Sequence, residues 1–505
     1  METNTKTNIT KILPKKISHY INGEFTDSSD QTLQIITVTN PTTEEKICEF
    51  IEAGPNEINL AYESSVKAQV LWEKMPLDVK VKLFMDLANI IESQIEELAL
   101  IESYDNGKSI KESQLDILEV IRVIRFYGGF IDKIFGTTIS ANDEFNIEAR
   151  RIPYGVVACI SPFNYPLLMA AWKIVPALCA GNAVILKPSE ETPLTVLKFC
   201  EIFGQLDFPK GLFNVVNGRG PTTGNLLTTH PKIAKVSFTG STIAGRQIMK
   251  ASSESNLKAI SLELVGKSPL IIFDDADLEN AIEWVIDGAF FNSSQNCICA
   301  SRVFIHEKIY EKFTKMIEEK TKDLIIGRFD EEDVKIGPLI NKRQYERYFT
   351  FLDIAEKEKL QLLCGGKSLK SEFPKGYFVE PTVFVNVPDD SRLSQEEIFA
   401  PIISVLTPFK TAKEALDRAN NSPYGLSSGV FTTDMAKAEY FVRNLQSGSV
   451  NVNCYNLSPY NAPFGGLKQS GFGRDNGIDG IMKYTTLKTV IYFNDFSELD
   501  TEIPF

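Results

Sequence analysis

From Gly155 onward, short runs rich in Val, Ile and Phe alternate with longer amphipathic stretches. GVVACIS, AVILKPS, GLFNVVNG and IAKVSFTG read as buried strands. LLMAAWKIVPALCAG, TPLTVLKFCEIFGQL and GPTTGNLLTTH between them, and IAGRQIMKAS after the last, read as helices. Strands alternating with helices predict an α/β fold with an open, doubly wound parallel sheet that binds ligands at its strand C-termini. A second alternation starts at SPLIIFDDAD and continues through DLENAIEWVIDGAFFNS, SRVFIH, EKIYEKFTKMIEEKTKDL, AKEALDRANN, YGLSSGVFTT and AKAEYFVRNL to SVNVNCYN, predicting a second α/β unit. Before residue 150, EINLAYESSVKAQVLWEKM and KVKLFMDLANIIESQIEELALIE carry helical spacing.

A chain of 505 residues can hold two or three domains, and 43% hydrophobic with 24% charged residues is an ordinary globular balance. The net charge of −13 argues against a nucleic-acid partner, which calls for clustered Lys and Arg. No apolar run approaches the roughly 20 residues that span a bilayer. The longest, LLMAAWKIVPALCAG, contains Lys173 and Pro176. METNTKTNITKILPKK lacks the apolar core of a secretory signal, so a cytoplasmic location is expected, with organelle targeting as the second choice for a basic, Thr-rich start. Eight scattered cysteines suit free thiols in a reducing compartment.

Candidate chemistry centres on FFNSSQNCICASR (290–302), where Cys297 and Cys299 stand one residue apart. A metal pair, a disulfide and a nucleophile beside a bystander are the three readings. The three histidines, His19, His230 and His306, lie away from this pair, which weighs against a zinc site. A disulfide across one residue is strained. A thiol acting here would take a carboxylate as its base. For a phosphate, GRGPTTG has glycines at 218, 220 and 224, one residue too long for a dinucleotide turn, and reads as a turn and cap. FTGSTIAG (238–245) follows a strand, opens a helix and offers amides and hydroxyls to a phosphate.

Seven motifs in order, SPFNYP (161–166), LKPSEETP (186–193), FTGSTIAG, LELVGKSP (262–269), NSSQNCICASR, EEIFAP (396–401) and APFGGLKQSGFGR (462–474), resemble the aldehyde dehydrogenase superfamily. The wording SPFNYPLLMAAWKIVPALCAGN is most similar to its betaine-aldehyde and aminoaldehyde branch. The resemblance implies NAD(P)-dependent oxidation of an aldehyde to an acid, with Cys297 as nucleophile, Glu263 as the base that activates water and Asn164 as an oxyanion donor. It implies a dinucleotide site of Lys187, Glu190, Ser241, Phe238, Gly240, Glu397, Phe399 and Pro162, and no metal. NAD is expected over NADP, because the Glu190 carboxylate suits a ribose 2′-hydroxyl and repels a 2′-phosphate.

Tyr165, Met169, Trp172, Phe291 and Phe464 are expected to line a substrate funnel, an aromatic box suited to an ammonium group. Asp116 and Glu119, three residues apart on a helix, are expected to add negative charge to it. The implied substrate is an aminoaldehyde or betaine aldehyde. The alternatives are a broad-specificity aliphatic or aromatic aldehyde dehydrogenase and a catalytically weakened NAD-binding member. The last is motivated by Val265 and Ser294, which stand where the family usually has glycine.

The implied architecture is a Rossmann-type cofactor domain (1–139 and 151–262), a catalytic domain (263–450) and a small β arm (140–150 and 482–495), with tails at 1–16 and 496–505. The arm contains TTLKTVIYF, an edge that would pair with a neighbouring subunit, so a homodimer or homotetramer is expected.

Overall fold

The structure, a computed structural model of the chain, describes residues 9, 11–141 and 144–493. The C-terminal tail and parts of the N-terminal tail and the arm, among them 142–143 and 494–495, lie outside the described residues.

Val156–Ile160, Ala183–Lys187, Phe213–Val215 and Lys235–Thr239 are buried along their whole length, as strands of a parallel sheet covered on both faces must be. With Ala259–Glu263 they form the parallel centre of an eight-stranded sheet. Phe213–Val215, Ala183–Lys187, Val156–Ile160, Lys235–Thr239 and Ala259–Glu263 lie side by side in that order, so the strand order reverses between Val156–Ile160 and Lys235–Thr239. Such a reversal opens a crevice at the strand C-termini. Register pairs Ile160 with Lys187 and with Phe238, and Thr239 with Glu263, which sets four motif-bearing strand ends at one level. Val157 and Cys159 face a core shared with the helices Pro166–Cys179 and Leu194–Phe203, while Val156, Ala158 and Ile160 face the core beneath Thr242–Glu254.

A seven-stranded sheet, parallel except at its Gln361–Cys364 edge, holds the second alternation. Its central strands are Arg302–Ile305 and Pro269–Ile272. The chain then returns to the first sheet, where Gly471–Phe472 pairs with Leu262 and Glu263. The small sheet pairs Thr485–Phe493 with Phe145–Pro153 over nine residues, and adds Thr137–Ile139. It therefore begins earlier and runs further, to Pro153, than the sequence pattern suggests, and Met482 belongs to the helix Gly477–Met482.

Two further differences have local causes. The long amphipathic stretch after Met75 is two helices, Leu77–Ser93 and Ile95–Asn106, because Gln94 leaves helical geometry at φ −120. GPTTG opens not as an α-helix but as a single wide turn, Gly220–Gly224, before the helix Asn225–Thr229. Thr223 Oγ1 donates to the Ala53 carbonyl at 2.8 Å, and Arg219 pairs with the Glu52 carboxylate at 3.0 Å, which holds this turn as a cap.

Trp72, fully buried, donates its indole N–H to the Leu178 carbonyl at 2.8 Å and packs against Phe84 and Phe208, tying the helix Pro55–Lys74 to the first core. Trp72→Ala is expected to destabilise the protein by about 3–5 kcal/mol, from lost packing and an orphaned carbonyl. A shift of the urea unfolding midpoint to lower concentration is the readout, and an unchanged midpoint refutes it.

Candidate active site

The helix Leu278–Phe290 begins at the Asp277 cap, which accepts the Glu279 and Asn280 amides, and delivers the chain to the cysteine loop. There Asn292, Ser293 and Ser294 adopt φ of 52, 54 and 59 in succession. Left-handed geometry costs roughly 1–2 kcal/mol for each non-glycine residue, so the run needs compensation. Hydrogen bonds supply it. The Asn292 amide donates to Glu112 Oε1 at 2.9 Å, and its side-chain amide donates to the Asn164 carbonyl at 2.9 Å. Ser293 Oγ donates to the Gly337 carbonyl at 3.0 Å and Ser294 Oγ to the Ala289 carbonyl at 2.6 Å, while Gln295 Oε1 accepts from the Ile340 amide at 3.0 Å. Ser294 thus occupies a conformation that favours glycine and binds its own helix end.

The loop separates its two thiols. Cys299 is buried and its Sγ points at the Ala289 carbonyl, 3.2 Å away. Cys297 is half-buried, with its Sγ 4.0 Å from Asn296 Oδ1 and within the field of the Glu263 carboxylate. Burial, then the charges of Glu263 and Glu397, push the Cys297 thiol well above its ordinary range. Burial also pushes the Glu263 carboxyl up; Asp475 adds to the rise, whereas Lys173, the Thr239 hydroxyl at 2.9 Å and the Cys297 thiol hold it down. Among the described residues Glu263 Oε1 has no hydrogen-bond partner. A thiol within the field of a buried carboxylate that keeps a free oxygen is a candidate acid–base pair.

Asn164 stands opposite the same loop. Its Nδ2 donates to the Gln295 carbonyl at 3.0 Å and its carbonyl accepts from Lys108 Nζ at 2.7 Å. Gly266 approaches most closely of all: a Cβ there would overlap the Cys297 carbonyl oxygen. Val265, the preceding residue, keeps a negative φ, and its carbonyl accepts from Ser470 Oγ at 2.7 Å. The valine is accommodated because the position that must be glycine is 266.

At the strand reversal, Lys187 Nζ is buried and bonds the Pro188 carbonyl at 2.6 Å and Glu190 Oε2 at 3.2 Å. Ser241 caps the helix Thr242–Glu254 by accepting the Ala244 amide at 3.2 Å, leaving that N-terminus at the surface. Phe238 ends buried beneath Gly240, whose Cβ position its ring would fill. Across the crevice, Glu397 Oε1 accepts the Gly266 amide at 3.2 Å, and burial pushes its carboxyl up to about 7. Phe399, at φ 59, meets Phe163 edge-on at 5.7 Å beside the half-buried Pro162. The buried hydroxyl of Ser161 lacks a hydrogen-bond partner among the described residues. A cation, two carboxylates, an orphaned hydroxyl and an open helix N-terminus suit a dinucleotide.

The expected funnel residues divide. Trp172 and Phe464 meet at 5.3 Å, and with Met169 they are buried behind the half-buried Tyr165 and Cys297 in one apolar cluster. Phe291 is half-buried at the start of the cysteine loop. Asp116 and Glu119 have different partners, and the charge of Asp116 reaches the Tyr165 ring. Asp116 is buried in an ion pair with Lys108 at 2.7 Å, and that Nζ also lies 4.2 Å over the Tyr165 ring. Glu119 turns outward to Arg122. Helical spacing gives two acids a common side of the helix but does not reveal that a lysine from the preceding loop neutralises one of them.

Three buried charges escaped sequence reasoning: Lys108, Lys173 and Asp475. Asp475 sits between Lys173 Nζ at 3.3 Å and Lys483, and these cations hold its carboxyl below the usual range against the effect of burial. A lone lysine inside PLLMAAWKIVPALC, a helix buried at every position, was the available signal.

The aldehyde dehydrogenase family profile matches residues 25–490. Retinal dehydrogenase 2 of Mus musculus is 42% identical over 475 residues, covering 93% of this chain and 90% of its own. An aldehyde dehydrogenase from Bacillus cereus, solved with NAD+, superposes with a TM-score of 0.92 at 38% identity, covering 96% of this chain and 98% of its own. A betaine aldehyde dehydrogenase from Staphylococcus aureus, also in complex with NAD+, gives 0.94 at 33% identity, over 97% and 98%.

Gly266→Ala is expected to push the Cys297 carbonyl away and lower kcat by about 100-fold, as misplacement near 1 Å does. Thiol alkylation of Cys297 at an unchanged rate and full turnover in this variant would refute the close packing.

Proposed function

The chain belongs to the aldehyde dehydrogenase family, and on that premise we propose that it oxidises aldehydes to carboxylic acids with NAD through a thioester on Cys297. The observation that carries the mechanism is the placement of Cys297 on a loop whose thiol lies within the field of the buried Glu263 carboxylate, with Glu263 Oε1 left without a hydrogen-bond partner among the described residues. Glu263 takes the thiol proton as sulfur adds to the aldehyde carbonyl. The resulting oxyanion accepts from the Asn164 side-chain amide, an interaction typically worth about 3 kcal/mol in the transition state. When bound, the dinucleotide supplies the two-electron acceptor that takes hydride from the tetrahedral carbon. Once that proton has passed to solvent, the Glu263 carboxylate removes a proton from the water that cleaves the thioester and returns it to the leaving sulfur, releasing acid and thiol.

Lys187, Glu190, Ser241 and Glu397 would hold the dinucleotide, with Phe238, Gly240, Phe399 and Pro162 shaping its cleft. Glu190 favours NAD, and NADP remains the weaker ligand because Lys187 is already committed to Pro188 and Glu190. Val265 at negative φ and the bonded Ser294 hydroxyl support an active enzyme over a weakened one.

The preferred substrate is an aminoaldehyde or betaine aldehyde, a reading supported by the aromatic side chains of Tyr165, Trp172 and Phe464, which pack in one cluster with Cys297. The pairing of Asp116 with Lys108 favours the second reading, a broad preference for neutral aldehydes. The free cysteines support a cytoplasmic setting, and no helix among the described residues is long and apolar enough to cross a membrane.

Cys297→Ala is expected to abolish NADH formation. Glu263→Gln is expected to lower turnover by about 10²–10³-fold. Because burial raises the Glu263 carboxyl, its base form is lost as pH falls through a value above the usual carboxylate range near ~4.3, so wild-type turnover rises with pH above that point. A flat pH–kcat profile, or full activity in either variant, refutes the roles assigned here.

Leu487, Ile491 and Phe493 lie exposed along the outer strand of the small sheet. A homodimer or homotetramer through this edge covers them. Ile491→Lys is expected to lower the mass measured by light scattering; a monomeric wild type refutes the arrangement.

A further inference from the structure

The helix Leu278–Phe290 carries a carboxylate, Asp287, one turn before the cysteine loop. The residue keeps an exposed surface while neighbouring protein atoms crowd its carboxyl, and its Oδ2 accepts from Asn456 Nδ2 at 3.0 Å. The Asn456 side-chain oxygen in turn accepts from Asn296 Nδ2 at 2.7 Å, and Asn296 immediately precedes Cys297. A single asparagine therefore ties Asp287 to the nucleophile loop. The Tyr165 ring lies within reach of the charges of Asp116, Cys297, Glu112 and, most weakly, Asp287. Phe291, four residues after Asp287, caps the C-terminus of the same helix.

Among the acids near this mouth, Asp287 differs in what neutralises it. Asp116 is paired with Lys108, Glu119 with Arg122 and Glu283 with Lys320. Glu112 spends its oxygens on the Asn292 and Ser109 amides. Asp287 makes no ion pair with a described residue; its partner is a neutral amide, and the cation whose field reaches it is the exposed Lys335. Burial against surrounding atoms pushes its carboxyl up, while Asn456 and Lys335 hold it down.

We infer that Asp287, held by Asn456, is the residue that selects aldehydes bearing a positive charge several bonds from the carbonyl, as in an ω-aminoaldehyde. The inference rests on Cys297 being the nucleophile and deepens the substrate reading above. The chemistry is complementary: the aromatic side chains of Tyr165 and Phe291 accept the methylene chain and the near face of an ammonium, and the carboxylate supplies the unpaired charge. Asn456 fixes that carboxylate relative to Asn296, so binding of the far end of the substrate is geometrically linked to placement of its carbonyl.

The test compares kcat/KM for 4-aminobutanal, butanal and succinic semialdehyde in wild type, Asp287→Asn, Asp287→Lys and Lys335→Gln, with Glu119→Gln as the surface control. Ratios between substrates cancel any loss of folded enzyme. Wild type is expected to favour 4-aminobutanal, with a KM that rises with salt while that for butanal does not. Asp287→Asn is expected to lower the 4-aminobutanal to butanal ratio about fivefold through KM, and Asp287→Lys to turn the preference toward succinic semialdehyde. Lys335→Gln is expected to raise the ratio and Glu119→Gln to leave it unchanged. A wild-type preference for the cation that persists in both Asp287 variants overturns Asp287 while leaving the substrate reading in place. A wild type that prefers butanal overturns both, and turnover that survives Cys297→Ala removes the premise.

Discussion

Three consecutive left-handed residues, Asn292 to Ser294, aim the cysteine loop, and most of the site depends on their being held. Each carries a Cβ, so the conformation is costly and persists only because the surroundings over-determine it. The bonds that do so come from different parts of the chain: Glu112 from a helix beside the first sheet, Asn164 from the end of a central strand, and Gly337 and Ile340 from the second unit. The strained run is therefore also a joint. Moving either unit relative to the other would break bonds that keep Cys297 in front of Glu263. Function and inter-unit packing are one problem here, solved by the same half-dozen hydrogen bonds.

Burial does the electrostatic work around that joint. It raises the Cys297 thiol and the Glu263 carboxyl together. For Glu263 that rise favours the protonated form over the base. Lys173 opposes that outcome, and its own charge is balanced against Asp475. Lys108 does the equivalent for Asn164, binding its carbonyl while its charge is met by Asp116. Glu263 and Asn164 are thus each backed by a buried ion pair, and removing one member of such a pair would strand the other charge.

Much of this was legible in the chain. Continuous apolar strands bounded by turn residues predict a parallel sheet covered on both faces, and the motifs fall at its strand ends. What could not be read was which polar residue meets which. Asp116 and Glu119 have helical spacing, yet Lys108 reaches across to one and Arg122 takes the other. Lys173 looked like an interruption in an apolar run and lies beside the proposed base. The break at Gln94 and the wide turn at Gly220–Gly224 are local backbone choices that hydrophobic periodicity does not encode.

The two departures from glycine show why residue type alone underdetermines a site. Val265 and Ser294 both replace glycine beside proposed catalytic groups, and both threaten the same thing, backbone freedom. At 265 that freedom is not used: φ is negative, and the close approach to Cys297 is made by Gly266, which is retained. At 294 the freedom is used, and serine meets the cost by donating to Ala289, the carbonyl that also receives the Cys299 thiol. One substitution is harmless because the neighbouring position bears the constraint. The other is tolerated because its hydroxyl replaces conformational ease with a hydrogen bond, and that bond shares its acceptor with the one that turns the second cysteine away from the reaction.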